Sequence, residues 1–389
     1  MSLNKKEIQK IIHSKDEKNP IVSAYVNLTR PDQVPTLLNS MCRDSLKKLN
    51  QEANFSPEQQ EDIEKLCARI KDAVQGSLSQ SHGSRMVVLF ANTAGLWEEF
   101  YLPVALPSQM QIRPEPYTRP LSILTDEFPR YCIVAADSRK SRVFTMYLGE
   151  IEEENHYFIE DDVPDGVRTK ASMGSGRGAV MSGLGDQRIE RHIQDHVHRH
   201  LKNTADHALS LLKDPGFDWT LVASTQEHIV TQVQNHLHSY VLERLVGTFK
   251  ADPDDKPEEI RTKSLEAAQK WERENESRIL SRLIETSNSG GLAVLGLEPV
   301  LEALTMGQVH TLLVDHNFQV SGTMCSQDRT MSTYLQTCPV CGQAMQQTDD
   351  LVEEMVQEAI LQNAEINHVF MAHEEFSKYR IGAFLRFAL

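Results

Sequence analysis

The sequence has no long hydrophobic run and few cysteines. None of its apolar stretches approaches the roughly 20 residues that a helix needs to cross a bilayer. The N-terminal segment MSLNKKEIQKIIHSKDEKNP is polar and lacks the apolar core of a secretory signal. Six cysteines in 389 residues do not form a disulfide framework, and Cys42, Cys67 and Cys132 stand in apolar segments typical of buried, reduced thiols. These absences predict a cytoplasmic protein that contacts no membrane.

The chain also lacks an excess of positive charge. It carries 40 Lys and Arg against 55 Asp and Glu, a formal net charge of −15. This balance argues against a protein that coats DNA or RNA, but it leaves room for a local basic feature that enters a preformed RNA site. With 389 residues, 40% of them hydrophobic and 24% charged, the chain is predicted to be globular with two or three domains.

The first 120 residues are predicted to form an α/β domain. Apolar periodicity indicates helices over Val34–Leu49 and Pro57–Val74, and two apolar runs at Met86–Ala91 and Leu96–Leu102 are typical of a hairpin. No motif in this domain points to a particular chemistry.

Residues 121–251 are predicted to form a second α/β domain with a mixed, RNase H-like sheet. The expected elements are strands Tyr131–Ala136 and Arg142–Leu148, a long helix from Gln187, strand Trp219–Ala223 and a helix over Gln226–Leu245. The polar linker Lys250–Pro257 indicates the next boundary. Residues 252–389 are predicted to form a third α/β domain with a β-α-β unit, interrupted by an insertion at residues 317–348.

A basic, glycine-rich loop at residues 166–186 precedes the long helix of the second domain. From Gly166 to Lys202 there are six glycines, and seven cations face three acids, a local charge of +4. Such a loop suggests a phosphate-rich partner, with a plain connecting loop as the alternative. The candidate RNA-binding residues are Arg168, Lys170, Arg177, Arg188, Arg191, His192, His196 and Arg199. The loop ends in the tripeptide Gly185-Asp186-Gln187, where Asp186 is placed either as part of a site or as an ordinary helix cap.

Histidines four residues apart on the long helix, His192/His196 and His196/His200, share one face and could chelate a metal. Contacts to RNA, contacts to another domain and plain packing are the alternatives. Similarly, Asp137 and Asp161-Asp162 could serve a two-metal nuclease, although turn residues at strand ends explain them as well.

The insertion contains a candidate zinc ribbon. Cys338-Pro339-Val340-Cys341 has the spacing that supplies two thiolates to zinc, and Cys325 lies upstream. Asp328 stands where a complete ribbon has its fourth cysteine, so the predicted ligands are Cys325, Cys338 and Cys341 with Asp328 or His316. A ribbon that has lost its metal is the alternative. In either case the role would be structural.

Three features in this order resemble the archaeo-eukaryotic class I peptide chain release factors, in their bacterial branch and its ribosome quality-control relatives. They are the glycine loop ending in Gly-x-Gln before a long helix, the segment GLEPVLEAL from Gly296 to Leu304, and the closing IGAFLRF from Ile381 to Phe387. The resemblance covers roughly residues 120–389. It implies a third domain with the fold of kink-turn-binding ribosomal proteins and a zinc-ribbon-like insertion.

The resemblance implies a factor that enters the ribosomal peptidyl-transferase centre and hydrolyses the peptidyl-tRNA ester, with Gly185, Asp186 and Gln187 as catalytic residues. Two departures matter. Asp186 replaces the central glycine of the family tripeptide, and the codon-reading motifs of true release factors are absent from the first domain. The sequence therefore favours rescue of stalled ribosomes or large subunits over stop-codon reading. A non-catalytic, Pelota-like ribosome-binding factor and a histidine-centred metallohydrolase are the alternatives.

Overall fold

The computed structural model describes the backbone of residues 5–14, 16, 19–52, 57–80, 83–158, 182–213 and 217–387. Side chains are described for these residues except 5, 50–52, 57, 79–80, 156–158 and 182–194. The chain divides into two compact units, one formed by residues 1–128 with 273–389 and the other by residues 129–272. The division into three domains at residues 120 and 252 stays a prediction. Among the described residues, no helix combines the length and the apolar character that spanning a membrane requires.

The N-terminal part of the first unit is an antiparallel sheet with two long helices packed on one face. Its elements are α1 (Lys5–Ile12), β1 (Ile21–Asn27), α2 (Val34–Glu52), α3 (Pro57–Gln80), β2 (Met86–Ala91), β3 (Trp97–Leu102), β4 (Gln109–Arg113) and α4 (Arg119–Glu127). The strand order is β3-β2-β1-β4. Apolar residues of α2, α3 and alternate positions of β1 and β2 form one buried cluster. The two helices and the hairpin predicted from the sequence are confirmed, and β4 was not predicted.

The second unit is a five-stranded mixed sheet covered on both faces. Its elements are β5 (Tyr131–Ala136), β6 (Lys140–Tyr147), β7 (Glu150–Phe158), α5 (Ser182–Leu212), β8 (Trp219–Ala223), α6 (Glu227–His236), α7 (Ser239–Leu242), β9 (Leu245–Phe249) and the first part of α8 (Pro257–Asn288). The order β7-β6-β5-β8-β9 joins three antiparallel strands to two parallel ones, the RNase H-like arrangement that was predicted. Helices α5 and α6 pack on one face of the sheet, and α8 packs on the other.

The single helix predicted over Gln226–Leu245 is wrong. Helix α6 ends at His236, and Leu237 turns to extended backbone, with ψ at 137°. The side chain of His238 then accepts a hydrogen bond from Tyr240 N and caps α7. The chain continues as edge strand β9, parallel to β8. The apolar spacing predicted one helix, but the extended residue Leu237 and the cap His238 divide it into two.

The C-terminal part of the first unit is a second sheet with order β10-β16-β11-β15. Its elements are β10 (Ala293–Leu295), α9 (Leu297–Thr305), β11 (Val309–Asp315), β12 (Gly322–Met324), β13 (Met331–Ser332), β14 (Gln346–Thr348), α10 (Leu351–Leu361), β15 (Glu365–Val369), α11 (Phe376–Tyr379) and β16 (Ile381–Leu385). Helices α9 and α10 cover one face, and the end of α8 covers the other. Strands β13-β12-β14 form a separate small sheet within the predicted insertion. The mixed α/β fold class is confirmed.

Candidate functional site

The turn Cys338–Gln343 presents a pair of cysteines. Cys338 N donates a hydrogen bond to Gln343 O at 2.8 Å, and Gly342 N donates to Cys338 O at 3.0 Å. Gly342 has a φ of 75°, in the left-handed region that costs a glycine little. Val340 N points to the sulfur of Cys338 at 3.4 Å. A sulfur that accepts a backbone N–H in this way is prepared to carry negative charge, as a metal-bound thiolate does.

The turn that starts at Cys325 repeats this geometry. Cys325 N donates to Thr330 O at 2.8 Å, and Arg329 N donates to Cys325 O at 3.0 Å. Arg329 has a φ of 59° and takes the place that a glycine holds in the second turn. Asp328 therefore occupies the position that corresponds to Cys341. The structure places this carboxylate where a four-cysteine ribbon would have its fourth thiol.

The four side chains converge. Their ligand atoms all lie within 4.8 Å of one another. The sulfurs of Cys325 and Cys341 are 3.4 Å apart, and the Cys338 thiol donates to Asp328 Oδ2 at 3.0 Å. A tetrahedral zinc with Zn–S bonds of about 2.3 Å needs sulfurs about 3.8 Å apart, so small shifts would accommodate the ion. The donor set fits a metal, and this Cys-rich cluster could hold a structural one.

Charge and packing around the cluster agree with that fit. Hydrogen bonds from Cys338 and Thr330 hold the pKa of the Asp328 carboxyl well below its usual range, so this group is an anion at neutral pH. Cys325 and Cys338 are buried, and Met345 and Leu335 pack against them. Four protein ligands leave no open position for substrate, which is the pattern of structural rather than catalytic metal sites.

His316, the alternative fourth ligand, lies elsewhere. Its ring stacks on Phe370 with centroids 4.8 Å apart, and its Nδ1 lies 3.0 Å from the carbonyl oxygen of Val369. It does not belong to the converging group. The prediction of Asp328 in this role agrees with the geometry, and the prediction of His316 is wrong.

Helix α5, which carries the Gly-Asp-Gln tripeptide, begins earlier than predicted. Its first residue is Ser182, so Gly185, Asp186 and Gln187 all lie on helical backbone. The predicted loop therefore gives way to helix before Asp186, and the alternative that Asp186 is the N-cap is wrong because four helical residues precede it. The side chains of the tripeptide lie outside the described residues, so its assignment as a site stays a prediction.

The structure describes the side chains of two of the eight predicted RNA-binding residues. Arg168, Lys170 and Arg177 lie outside the described residues. The backbone of Arg188, Arg191 and His192 is part of α5, but their side chains also lie outside. The described members are His196, which is half-buried, and Arg199, which is exposed and directs its Nε to the Asp195 carbonyl at 3.4 Å. Their role in binding RNA stays a prediction.

His200 attaches α5 to the sheet. Its Nε2 lies 3.2 Å from the carbonyl oxygen of Asp137, and its Nδ1 lies 3.5 Å from the hydroxyl of Ser141, which also contacts Thr204. Burial lowers the pKa of the imidazole, so His200 is neutral at pH 7. A histidine engaged at both nitrogens is not available to chelate with His196. Among the residues described, the cysteine cluster is the one group whose ligand atoms converge for a metal.

Sequence reasoning missed a contact between histidines of two different helices. The rings of His198 on α5 and His236 on α6 meet edge to face, with centroids 4.3 Å apart. Partial burial and the charges of His198 and Lys202 lower the pKa of His236. No local pattern reveals this pair, because 38 positions separate its members and the contact depends on the packing of α5 on α6.

A layer of buried charge in the first unit was also missed. It joins the end of β4 and the start of α4 to helix α10 and its N-cap. Arg119 pairs with Asp350, Arg113 with Glu354, and Glu353 accepts a hydrogen bond from Thr118 N at 2.7 Å. The sequence offers one signal, since two glutamates stand among the apolar residues of LVEEMV, where an amphipathic helix presents its buried face.

Comparison with known proteins gives one family match. The model of bacterial archaeo-eukaryotic release factor family 10 matches residues 116–269, which include the whole five-stranded sheet and α5. No curated protein matches the chain.

Several solved structures are similar at low identity. An archaeal translation termination factor is 15% identical, with 99% of each chain covered and a TM-score of 0.26. Pelota from Archaeoglobus fulgidus is 12% identical over 78% of this chain and 79% of its own, with a TM-score of 0.30. A translation termination-like factor from S. cerevisiae is 9% identical over 78% and 80%, with a TM-score of 0.42.

The family match falls on the unit that carries the Gly-Asp-Gln helix, and that unit has the mixed sheet predicted from the order of its strands and helices. Residues 116–269 are thus similar to bacterial archaeo-eukaryotic release factor family 10.

Proposed function

We propose that the chain is a ribosome-associated translation factor that hydrolyses the peptidyl-tRNA ester on stalled ribosomes or free large subunits. The observation that carries this proposal is the match of residues 116–269 to a release factor family, because Gly185-Asp186-Gln187 lies within the matched segment on helix α5. The cytoplasm, where ribosomes lie, is its proposed location.

In this proposal Gln187 orients a water molecule against the ester carbonyl. An amide side chain offers both a donor and an acceptor for that task. Proximity and backbone hydrogen bonds would supply most of the rate, so no strong side-chain base is required. The cations of the glycine-rich loop and of α5, Arg199 among them, would contact rRNA phosphates.

We further propose that zinc is the structural metal of the cluster formed by Cys325, Asp328, Cys338 and Cys341. Zinc prefers tetrahedral sites rich in thiolates, and a carboxylate is an accepted ligand. The ion would stabilise the small sheet β13-β12-β14 and take no part in hydrolysis.

A second candidate function is favoured by one residue. Asp186 places a carboxylate at the centre of the tripeptide, where it would face rRNA phosphates. A non-catalytic, Pelota-like factor would bind ribosomes without cleaving the ester.

Two measurements separate these functions. Co-sedimentation with 70S ribosomes and with isolated 50S subunits measures binding, and release of labelled peptide from stalled complexes measures hydrolysis. We expect Gln187→Ala to bind normally and to slow hydrolysis by a factor on the order of 10² or more. Gln232→Ala, at an exposed position of α6, is the matched control and should leave both unchanged. Binding with no cleavage by any variant would establish the non-catalytic function, and absence of binding would refute both.

A further inference from the structure

A groove of about 620 Å³ lies between α2 and α3 in the first unit. Two cysteines line it, Cys42 from α2 and Cys67 from α3, and each is only 2% exposed. Both are free thiols. The groove is therefore an opening through which a small molecule can approach two otherwise buried sulfurs.

The charged groups that line the groove are mainly cationic. Arg43, Lys47 and Lys71 contribute positive charge, and Glu64 is the one acid in the lining. Arg43 and Lys47 are exposed, as is Glu64, whereas Lys71 is half-buried. In a chain with a net charge of −15, this is a local reversal of sign that favours anionic ligands.

The side chains of Cys42 and Cys67 interact at the groove, and this interaction lowers the pKa of Cys42 and raises that of Cys67. The positive charge of Lys71 favours the thiolate form of both groups, although the pKa of Cys67 remains raised. An activated thiol beside a second thiol, in an electropositive groove, is the arrangement found in cysteines that react with disulfides.

We propose that Cys42 and Cys67 form a dithiol site that exchanges with small anionic disulfides and closes to a disulfide between α2 and α3. The site lies outside residues 116–269 and is independent of the proposed action on peptidyl-tRNA.

The exchange proceeds in two balanced steps. The Cys42 thiolate attacks one sulfur of a disulfide RS–SR, the S–S bond breaks, and RS⁻ leaves, so that a mixed disulfide Cys42–S–SR forms. The Cys67 thiol then loses its proton to solvent and attacks the Cys42 sulfur. A second RS⁻ leaves, and the Cys42–Cys67 bond forms. The protein dithiol is oxidised by two electrons, and RS–SR is reduced to two thiols.

The test uses the full-length protein, purified without chelator, with two aromatic disulfides of different charge. The dianionic reagent is 5,5′-dithiobis(2-nitrobenzoate), and the neutral one is 4,4′-dithiodipyridine. Peptide mapping by mass spectrometry after the reaction identifies the linked cysteines. We expect a Cys42–Cys67 link in folded protein, and a lasting mixed disulfide at Cys42 in Cys67→Ser. Recovery of both thiols unmodified from folded protein, or their linkage only after unfolding in guanidinium, would overturn the proposal.

Neutralising two lysines that line the groove tests whether the site prefers anionic disulfides. We expect Lys47→Gln/Lys71→Gln to slow the reaction with the dianionic reagent by a factor on the order of 10 at low salt, and to leave the neutral reagent unaffected. The control Lys65→Gln, on α3 outside the groove, should change neither rate. Equal slowing of both reagents, or of neither, would reject the anionic selectivity. Circular dichroism verifies that each variant keeps the fold.

Discussion

Arg119 and Asp350 form a buried ion pair across 231 positions of sequence. Arg119 Nη1 donates to both carboxylate oxygens, at 3.0 and 2.8 Å, and each side chain is only 6% exposed. Arg119 Nη2 also donates to the carbonyls of His316 and Phe318. This one guanidinium therefore connects the start of α4 to the N-cap of α10 and to the chain entering the ribbon.

Loss of this pair should be costly. We expect Arg119→Met to lower the free energy of unfolding of the first unit by about 3–5 kcal/mol, because Asp350 would remain as a buried charge without its partner. Urea denaturation followed by fluorescence measures the change. Lys65→Met, which removes an exposed pair with Glu61, is the control and should cost less than about 1 kcal/mol. A similar effect of the two substitutions would show that the buried pair is not structurally important.

Loss of one cysteine ligand of the metal cluster should loosen the insertion and spare the second unit. We expect Cys338→Ser to release the metal and to increase hydrogen exchange over residues 317–348, because a ligand is lost and metal binding is coupled to local folding. The five-stranded sheet of the second unit should keep its protection. His316→Ala is the control, since that ring stacks on Phe370 away from the cluster, and it should retain full metal content. Protein purified without chelator that contains no zinc by elemental analysis would contradict the assignment.

The ribbon shows what the sequence can predict. The spacing of Cys338 and Cys341 is local, and Asp328 follows Cys325 at the same distance, so all four residues of the cluster were among the predicted ligands, with His316 as the alternative to Asp328. The buried layer around Arg119 could not be found in this way. Its partners lie more than 230 positions apart, and charged residues are expected at the surface unless a partner is known.

Strands and helices were likewise predicted where the sequence carries a clear local pattern and missed where it does not. β5 and β8 were predicted because continuous apolar runs are typical of strands buried on both faces. β9 was missed because an edge strand that is only half-buried and contains Gly247 has no clear alternation. The start of α5 was misplaced because two glycines, Gly183 and Gly185, are typical of a loop, whereas the structure tolerates them in the first turns of the helix.

His200 predicts acid sensitivity of the second unit. Burial lowers its pKa in the folded state, so the unfolded chain binds a proton more readily. The stability that the neutral ring contributes is present above about pH 6.5, the unfolded value, and is lost as pH falls toward the lower folded value. We expect His200→Gln to reduce the difference in unfolding free energy between pH 7.5 and pH 5.0. His228→Gln, at an exposed position of α6, should leave that difference unchanged. An unaltered difference in His200→Gln would exclude His200 as its source.

Gly382 predicts a steric effect in the second sheet of the first unit. A Cβ at this position would lie 2.8 Å from Leu283 Cδ2, 2.9 Å from Leu295 Cδ2 and 3.0 Å from Val294 O. We expect Gly382→Ala to destabilise the unit by about 1–3 kcal/mol, since α8 packs directly on this strand. Gly76→Ala on α3 is the matched control, because a Cβ there meets nothing within 4 Å. That change should be neutral or stabilising by about 0.5–1 kcal/mol. Calorimetric melting of both variants compares them.

Substitution of Asp186 tests whether this residue caps the helix. Because α5 begins at Ser182, Asp186 is not a cap. Asp186→Ala should therefore raise the stability of α5 by a few tenths of a kcal/mol, in line with helix propensity, rather than lower it by about 1 kcal/mol as loss of a cap would. Hydrogen exchange over residues 182–200 measures this effect.

Asp186→Gly should act in opposite directions on stability and on activity. Glycine in a helix costs up to about 1 kcal/mol, so α5 should begin to fray. Peptide release from stalled complexes should nevertheless be equal to or faster than that of the unaltered chain, because the carboxylate that would face rRNA phosphates is removed and the family tripeptide is restored. The double variant Asp186→Gly/Gln187→Ala is the control and should be as slow as Gln187→Ala. If Asp186→Gly instead abolishes release while ribosome binding is kept, the carboxylate itself takes part in hydrolysis, and Gln187 alone does not account for the chemistry.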